Sequence, residues 1–145
     1  MSANEILLGF SFLYATLNGD LSLAGYAPGG IYRSLAPPNT ATPFVVYSFQ
    51  SGSDSVTMNG FRMVVECSFL VKAVGPAKSM ATIANASARI DILLGGPPGT
   101  PVSGNPTGGK VLSCYRQAPF HLDELINADL WSNSGGSYRL IIEQT

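Results

Sequence analysis

Pro43-Phe44-Val45-Val46-Tyr47-Ser48-Phe49 and, after a polar interval, Phe61-Arg62-Met63-Val64-Val65-Glu66-Cys67-Ser68-Phe69-Leu70-Val71-Lys72 decide the fold of this chain. The first stretch is a β-branched and aromatic run of strand length. The second alternates strictly. Phe61, Met63, Val65, Cys67, Phe69 and Val71 share one face, and Arg62, Val64, Glu66, Ser68, Leu70 and Lys72 share the other. A period of two with one wholly apolar face marks an antiparallel strand lying on a core. The interval from Gln50 to Gly60 is polar and glycine-containing, so the whole reads as a long hairpin with its tip at Ser51 to Gly60.

Downstream, Gly75-Pro76 marks a helix entrance, with proline where its missing N–H costs nothing. Met80, Ile83, Ala84, Ser87, Ile90 and Leu94 recur at helical spacing, and Ala77, Ala81, Ala86 and Ala88 supply propensity. Gly95-Gly96-Pro97-Pro98 ends that helix, and Gly95 to Gly109 reads as a long Gly/Pro/Ser/Thr loop, functional or mobile. Val111 to Gln117 predicts a strand, His121 to Leu130 a turn or short helix, and Trp131 to Gly136 a turn. Tyr138 to Glu143 closes the chain as a strand.

Upstream, Asn4 to Leu17 predicts an amphipathic helix. Asn4 is its N-cap, Glu5 sits in its first turn, and Asn18-Gly19 is a left-handed stop. Leu21 to Gly30 reads as an irregular connection, Ile31 to Ser34 as a short strand, and Asn39 to Thr42 as a turn. The expected class is α+β: a mostly antiparallel sheet with a long β-hairpin, flanked by an N-terminal helix and a central Ala-rich helix. One domain over residues 1–145 is enough, since a chain of this length buries about two thirds of its unfolded surface.

Charged residues make up only 12% of the chain, about half the usual ~25%. A small monomer relies on charge to keep its surface hydrated, so the shortage points to a surface covered by other protein. Abundant Ser, Thr, Asn and Gln offer the plainer alternative of a neutral wet surface. No stretch supplies the ~20 apolar residues of a spanning helix, and Met1 to Glu5 carries no basic n-region of a secretory signal. No membrane partner is expected. A net charge of −1 gives no general attraction to nucleic acid. Cys67 and Cys114 lie in apolar strand contexts and read as buried reduced thiols rather than a disulfide.

Several stretches resemble catalytic or binding motifs without meeting their requirements. Gly104-Asn105-Pro106-Thr107-Gly108-Gly109-Lys110 has the outline of a phosphate loop, but it runs into a strand and is followed by Val111. A phosphate loop must open a helix and end in a Ser or Thr that holds magnesium. His121, Asp123 and Glu124 lack the further His or Cys that a metal centre needs, and they read as solvated capping groups. No Gly-x-Ser-x-Gly elbow is present. Asn85-Ala86-Ser87 matches a glycosylation sequon but falls inside the predicted helix. Phe44, Tyr47, Phe49, Phe61 and Phe69 lie on strands without interleaved basic residues, which suits core packing better than base stacking. No catalytic residue, metal site or cofactor is expected.

Four stretches carry a resemblance. They are Ile31-Tyr32 with the Pro-rich turn into Thr42-Pro43-Phe44-Val45-Val46-Tyr47, the run from Val64 to Val71, the helix from Ala77 to Leu94, and the closing Gly136-Ser137-Tyr138-Arg139-Leu140-Ile141-Ile142-Glu143. In this order they are similar to the tail-terminator, or tail-completion, proteins of long-tailed bacteriophages. The resemblance implies a non-enzymatic subunit of the virion, assembled in the host cytoplasm. It would form a homo-oligomeric, hexameric ring that caps the tail tube protein and meets the head-tail connector or stopper protein. DNA would pass through the lumen without specific binding. Another neck protein, a stopper or adaptor, fits the same features. A small cytoplasmic ligand-binding or hydrolytic domain, using His121, Asp123 and Glu124 or the glycine loop, is the alternative from another class. Candidate contact residues come from the two loops: Ser51, Ser53, Asp54, Ser55, Thr57 and Asn59 on the hairpin tip, and Pro97, Pro98, Thr100 and Asn105 on the long loop.

Overall fold

The computed structural model describes residues 4–56, 58, 60, 62–96 and 102–144. Helix α1, Glu5–Asn18, starts where expected, with the Asn4 side chain accepting from the Ile6 and Leu7 N–H groups. Its stop differs, because Gly19 is right-handed (φ −80°, ψ −3°) rather than left-handed. The supposed irregular connection begins with a second helix, α2, Leu21–Tyr26. Asp20 caps it through the Leu23 N–H at 2.8 Å, and Leu23 is buried. The same carboxylate takes two hydrogen bonds from Arg89 at 2.8 and 2.7 Å, which ties α2 to the central helix. The Arg89 hydrogen bond foremost holds the Asp20 carboxyl below its ordinary range.

Six strands form one sheet in the order β1-β2-β3-β6-β5-β4. Strand β1, Ile31–Arg33, runs parallel to β2, Phe44–Val56, and all other pairings are antiparallel. The decisive hairpin is longer than the sequence suggested. Gln50 to Val56 belong to β2 rather than to a loop, and they face β3, Arg62–Pro76, with a register shift between Phe49 and Ser51. Val65, Cys67, Phe69 and Val71 all point into the core, as the alternation requires. Phe61 and the side chain of Met63 lie outside the described residues.

Pro76 closes β3 instead of opening the helix, and a 3-10 turn, Ala77–Ser79, leads into α3, Met80–Gly95. The buried stripe of α3 is Ile83, Ala86, Ile90 and Leu94, so Ala86 takes the place expected for Ala84. The long loop holds a short strand, β4, Val102–Gly104.

The largest departure lies beyond it. Strand β5 runs from Gly109 to Ile126 and β6 from Asp129 to Gln144, so the predicted turn or helix at His121–Leu130 and the turn at Trp131–Gly136 are both strand. Asn127 and Ala128, both at positive φ (50° and 67°), make the two-residue turn between them. This is the left-handed pair a tight hairpin needs. Trp131–Gly136 lies between two strands and pairs with β3 from Val71 to Pro76 on one side. Gly135 is required there, since a Cβ would run into the Val71 carbonyl oxygen.

Helices α1 and α3 cover one face of the sheet. Leu8, Leu13, Leu17, Ile83, Ile90 and Leu94 meet Val45, Phe69, Val71, Tyr138, Leu140 and Ile142 in a single apolar cluster. Phe10 of α1 lies edge-on to Phe69, with ring centroids 5.5 Å apart. Phe49 does the same from the sheet at 5.6 Å. Tyr138 reaches α3 by donating its hydroxyl to the Asp91 carboxylate at 3.2 Å, and burial followed by Asp91 raises its pKa. Cys67 and Cys114 are buried free thiols, pushed up to about 11 and about 12 by burial.

Candidate interaction surfaces

The ends of the two long hairpins are the first candidates. On the β2–β3 arm, Ser51, Ser53, Asp54 and Ser55 are exposed and sit opposite Ser68, Glu66, Val65 and Val64. They are therefore held by ladder hydrogen bonds rather than by a loop. Thr57 and Asn59 lie outside the described residues. Of the residues expected on the long loop, Pro97, Pro98 and Thr100 also lie outside them, and Asn105 is exposed in the turn from β4 into β5. Asn105 borders a cleft of about 500 Å³ against Ser11, Phe12 and Ala15 of α1. Three strands, β3, β6 and β5, separate β2 from β4, so the two groups lie on opposite edges of the sheet and form no common site.

The His121 segment is not a capping turn. His121 Nε2 lies 3.2 Å from Asp123 Oδ1, which also accepts the Ser132 hydroxyl at 2.7 Å. The Ser132 hydrogen bond foremost, with His121 behind it, lowers the Asp123 pKa. Glu124 accepts from Asn133 Nδ2 at 2.9 Å. In the ladder Asp123 pairs with Ser132 and Glu124 with Trp131, so the two carboxylates leave opposite faces of the hairpin and converge on nothing. Among the described residues no group of three His, Cys, Asp or Glu could hold a metal ion. Gly104 to Lys110 connects strand to strand, without the helix N-terminus that a phosphate would need.

The surface that sequence reasoning missed is the β5–β6 arm. Every residue from His121 to Leu130 is exposed. Four of them are large and apolar: Leu122, Leu125 (74% exposed), Ile126 and Leu130 (51%). Cross-strand pairing divides them. Leu125 and Leu130 face the side on which the helices pack, whereas Leu122 and Ile126 face the other side together with Trp131 and Asn133. The available signal was Leu122, Leu125, Ile126 and Leu130, but their i, i+3, i+4, i+8 spacing is that of a helix face and points away from the strands that form.

On that other side of the sheet lies a groove of about 530 Å³. The connection from Ser34 to Thr40 folds over Phe44, Val46 and Val74 to form it, and Ile126 and Trp131 close its far end. Lys72 is the one charged residue lining it, with its ammonium 5.7 Å from the centre of the Phe120 ring. Leu35 on the rim is 83% exposed. Farther along this face the surface turns polar: Arg139 pairs with Glu66 at 3.3 Å, and Ser68 donates to Gln117 at 3.1 Å. No described helix is long and apolar enough to cross a membrane.

No protein-family model matches this chain, and no curated protein matches it. Its fold is similar to that of a chain in a solved structure described as the virion of a native gene transfer agent (GTA) particle. The TM-score is 0.68 at 18% identity, over 94% of this chain and 97% of that one.

Proposed function

We propose that this chain is a structural subunit of a phage-like virion, forming a ring that caps the tail tube and joins it to the head-tail connector. The observation that carries this is the fold shared end to end with a chain of a gene transfer agent virion. The surface is consistent with such a role. Charged residues are only 12%, and an arm of the sheet exposes four large apolar side chains. Leu125 with Leu130 on one face of that arm, and Leu122 with Ile126 on the other, leave apolar surface suited to contact with other protein. Ring subunits contact two neighbours through different surfaces, and tube and connector add two more. The ring is expected to be a hexamer, and DNA is expected to pass through it without sequence-specific contacts.

The test is addition of the purified protein to uncapped tail tubes, followed by electron microscopy of the tube ends. Capped ends support a terminator. Binding to portal rings and not to tubes would instead make it another neck protein, a stopper or adaptor. Binding to neither would remove both. Shortening only the end of the β2–β3 hairpin, beyond the Ser55–Val64 pair, is expected to leave the fold intact and to lower the yield of joined particles.

A further inference from the structure

Building on the proposed ring, we propose that its subunits join edge to edge. The outer edge of β1 in one copy pairs antiparallel with the open edge of β5 in a second copy, making one continuous sheet. Each side of the sheet is covered over only part of its height. Strand β1 pairs with Val45 to Tyr47, and β4 with Val111 to Cys114. Among the described residues, β2 from Ser48 to Val56 and β5 from Tyr115 to Ile126 therefore have no strand on their outer side. Open ladder groups of this kind are a template for another strand.

The register says which strand fits. One row of the sheet runs through Ile31, Val45, Ala73, Ser134 and His121, and another through Arg33, Tyr47, Val71, Gly136 and Pro119. Strand β1 thus stands in rows whose far edge is open. Strand β4 does the same in reverse, because its rows, through Cys114 and Val111, end on β2 at Gly52 and Asp54. A second copy set beside the first, without a shift along the strands, places each short strand in the other's gap. Successive antiparallel pairings make β2 and β5 run in opposite directions, so β1, parallel to β2, meets β5 antiparallel. The helices of both copies stay on one side.

The main-chain groups agree with that register. The Gly30 carbonyl accepts from the Val45 N–H at 2.9 Å, and the Ser34 N–H donates to the Tyr47 carbonyl at 2.8 Å. Successive residues alternate in direction, so Ile31 and Arg33 point outward. On β5, Pro119 has no N–H and takes a position pointing away from β6, which turns His121 outward as well. Ile31 then meets His121, and the two can exchange both ladder bonds. Arg33 meets Pro119. The Arg33 carbonyl already accepts from the Leu35 N–H at 2.7 Å, so it needs no donor from proline. Against a second β5, Pro119 would instead leave a facing carbonyl without its donor. Tyr32 and Phe120 share the row between, on the face away from the helices, as a cross-strand aromatic pair. Because unlike edges meet, the contact is heterologous and repeats until a rotation closes it into a ring.

The experiment uses the full chain. Tyr32→Cys and Phe120→Cys are made separately; both positions are half-buried, while Cys67 and Cys114 are buried. Opposed residues that share no ladder bond lie about 4.5 Å apart at Cα, within reach of a disulfide. Mixed and oxidised, the two variants are expected to form a linked heterodimer, and neither is expected to link with itself. Self-linking of either variant alone would overturn the proposal in favour of like edges pairing. Rings without any cross-link would overturn the edge contact and leave the ring standing. His121→Pro removes the outward N–H, whereas His121→Ala keeps it. The proline variant is expected to self-associate about tenfold more weakly than the parent, and the alanine variant equally well. Equal association of both would overturn a main-chain contact, and the cross-link decides alone if His121→Pro does not fold. A parent protein that stays monomeric at every concentration, with and without tubes, would remove the ring and the edge contact together.

Discussion

Where the β2–β3 hairpin leaves the core it carries Ser51, Ser53, Asp54 and Ser55, and where the β5–β6 hairpin leaves it, Leu122, Leu125, Ile126 and Leu130. Both hairpins are held by ladder hydrogen bonds and rooted in the same cluster around Phe69, Tyr138 and Leu140, and each is two-stranded only at its end, beyond the β3–β6 pairing that runs from Val65–Ile142 to Pro76–Trp131. The backbone solves the same problem twice, and the side chains give the two solutions different fates. Water satisfies Ser51, Ser53, Asp54 and Ser55 as they stand, and among the described residues only Val56 and Met58 at the end of that arm expose apolar surface. The apolar arm leaves surface whose burial would stabilise by roughly 25 cal/mol per Å².

The largest expected effect tests whether the arms share one root. Phe69→Ala removes the ring against which Phe10 and Phe49 pack, and should cost about 3–5 kcal/mol. Denaturant unfolding followed by separate probes on the two arms should show one coincident transition. Two separate transitions would break the comparison by making the hairpins independent units.

A smaller effect is expected at the helix that the sequence concealed. Asp20→Ala removes the cap of α2 and the partner of Arg89, at a cost of about 1 kcal/mol for the cap alone. Asp20→Asn keeps a capping oxygen and loses the charge pair, so it should fall between. The folded-state pKa of Asp20 lies below its ordinary value of 3.8. Its stabilisation is therefore full above that pH and is lost as pH falls through the folded value. Acid titrations of stability should be shallower in Asp20→Asn. Equal slopes in the two proteins would mean the pair contributes nothing. The cysteines work in the opposite direction. Their raised folded pKa values, about 11 and about 12, give stability that is full below the unfolded thiol range and lost as pH rises through those values. A Cys114→Ser variant would retain its stability farther into alkaline solution, relative to its own value at neutral pH.

Next comes the turn of the apolar arm. Ala128 holds φ at 67°, a conformation that costs an L-residue about 1–2 kcal/mol and glycine almost nothing. Ala128→Gly should raise stability by about 0.5–1 kcal/mol after the entropy lost by glycine, read from the melting midpoint.

The smallest effect sharpens the comparison most directly. Leu125→Ser gives the apolar arm the surface of the polar one and should change monomer stability by no more than about 0.5 kcal/mol. Self-association should nevertheless drop. If it does not, the difference between the arms has no consequence for assembly.

Two kinds of information separate in this molecule. The sequence by itself determined the elements in which one face is buried: the alternating run from Val65 to Val71, the stripe Ile83, Ile90 and Leu94, and α1 behind its Asn4 cap. Burial on one face imposes a period, and a period is local and readable. Cys67 and Cys114 followed for the same reason, as apolar positions on core strands. Tertiary structure alone decided the rest. His121 to Leu130 is exposed on both faces, so no alternation marks it, and its strand character comes from pairing across the hairpin. Trp131 to Gly136 has the composition of a turn, yet it is paired with β3, where Gly135 permits a contact that any Cβ would block. Helix α2 is too short to show a period and is fixed by Leu23 in the core and by Arg89, 69 residues away. The sites divide along the same line. Ser51, Ser53, Asp54, Ser55 and Asn105 could be named as surface because polarity is local. The groove is assembled from Leu35, Phe44, Val74 and Trp131, far apart in sequence and brought together only by the fold, and the exposure of Leu125 shows only there. Exposure of an apolar side chain is a property of what fails to cover it, and that is settled only in three dimensions.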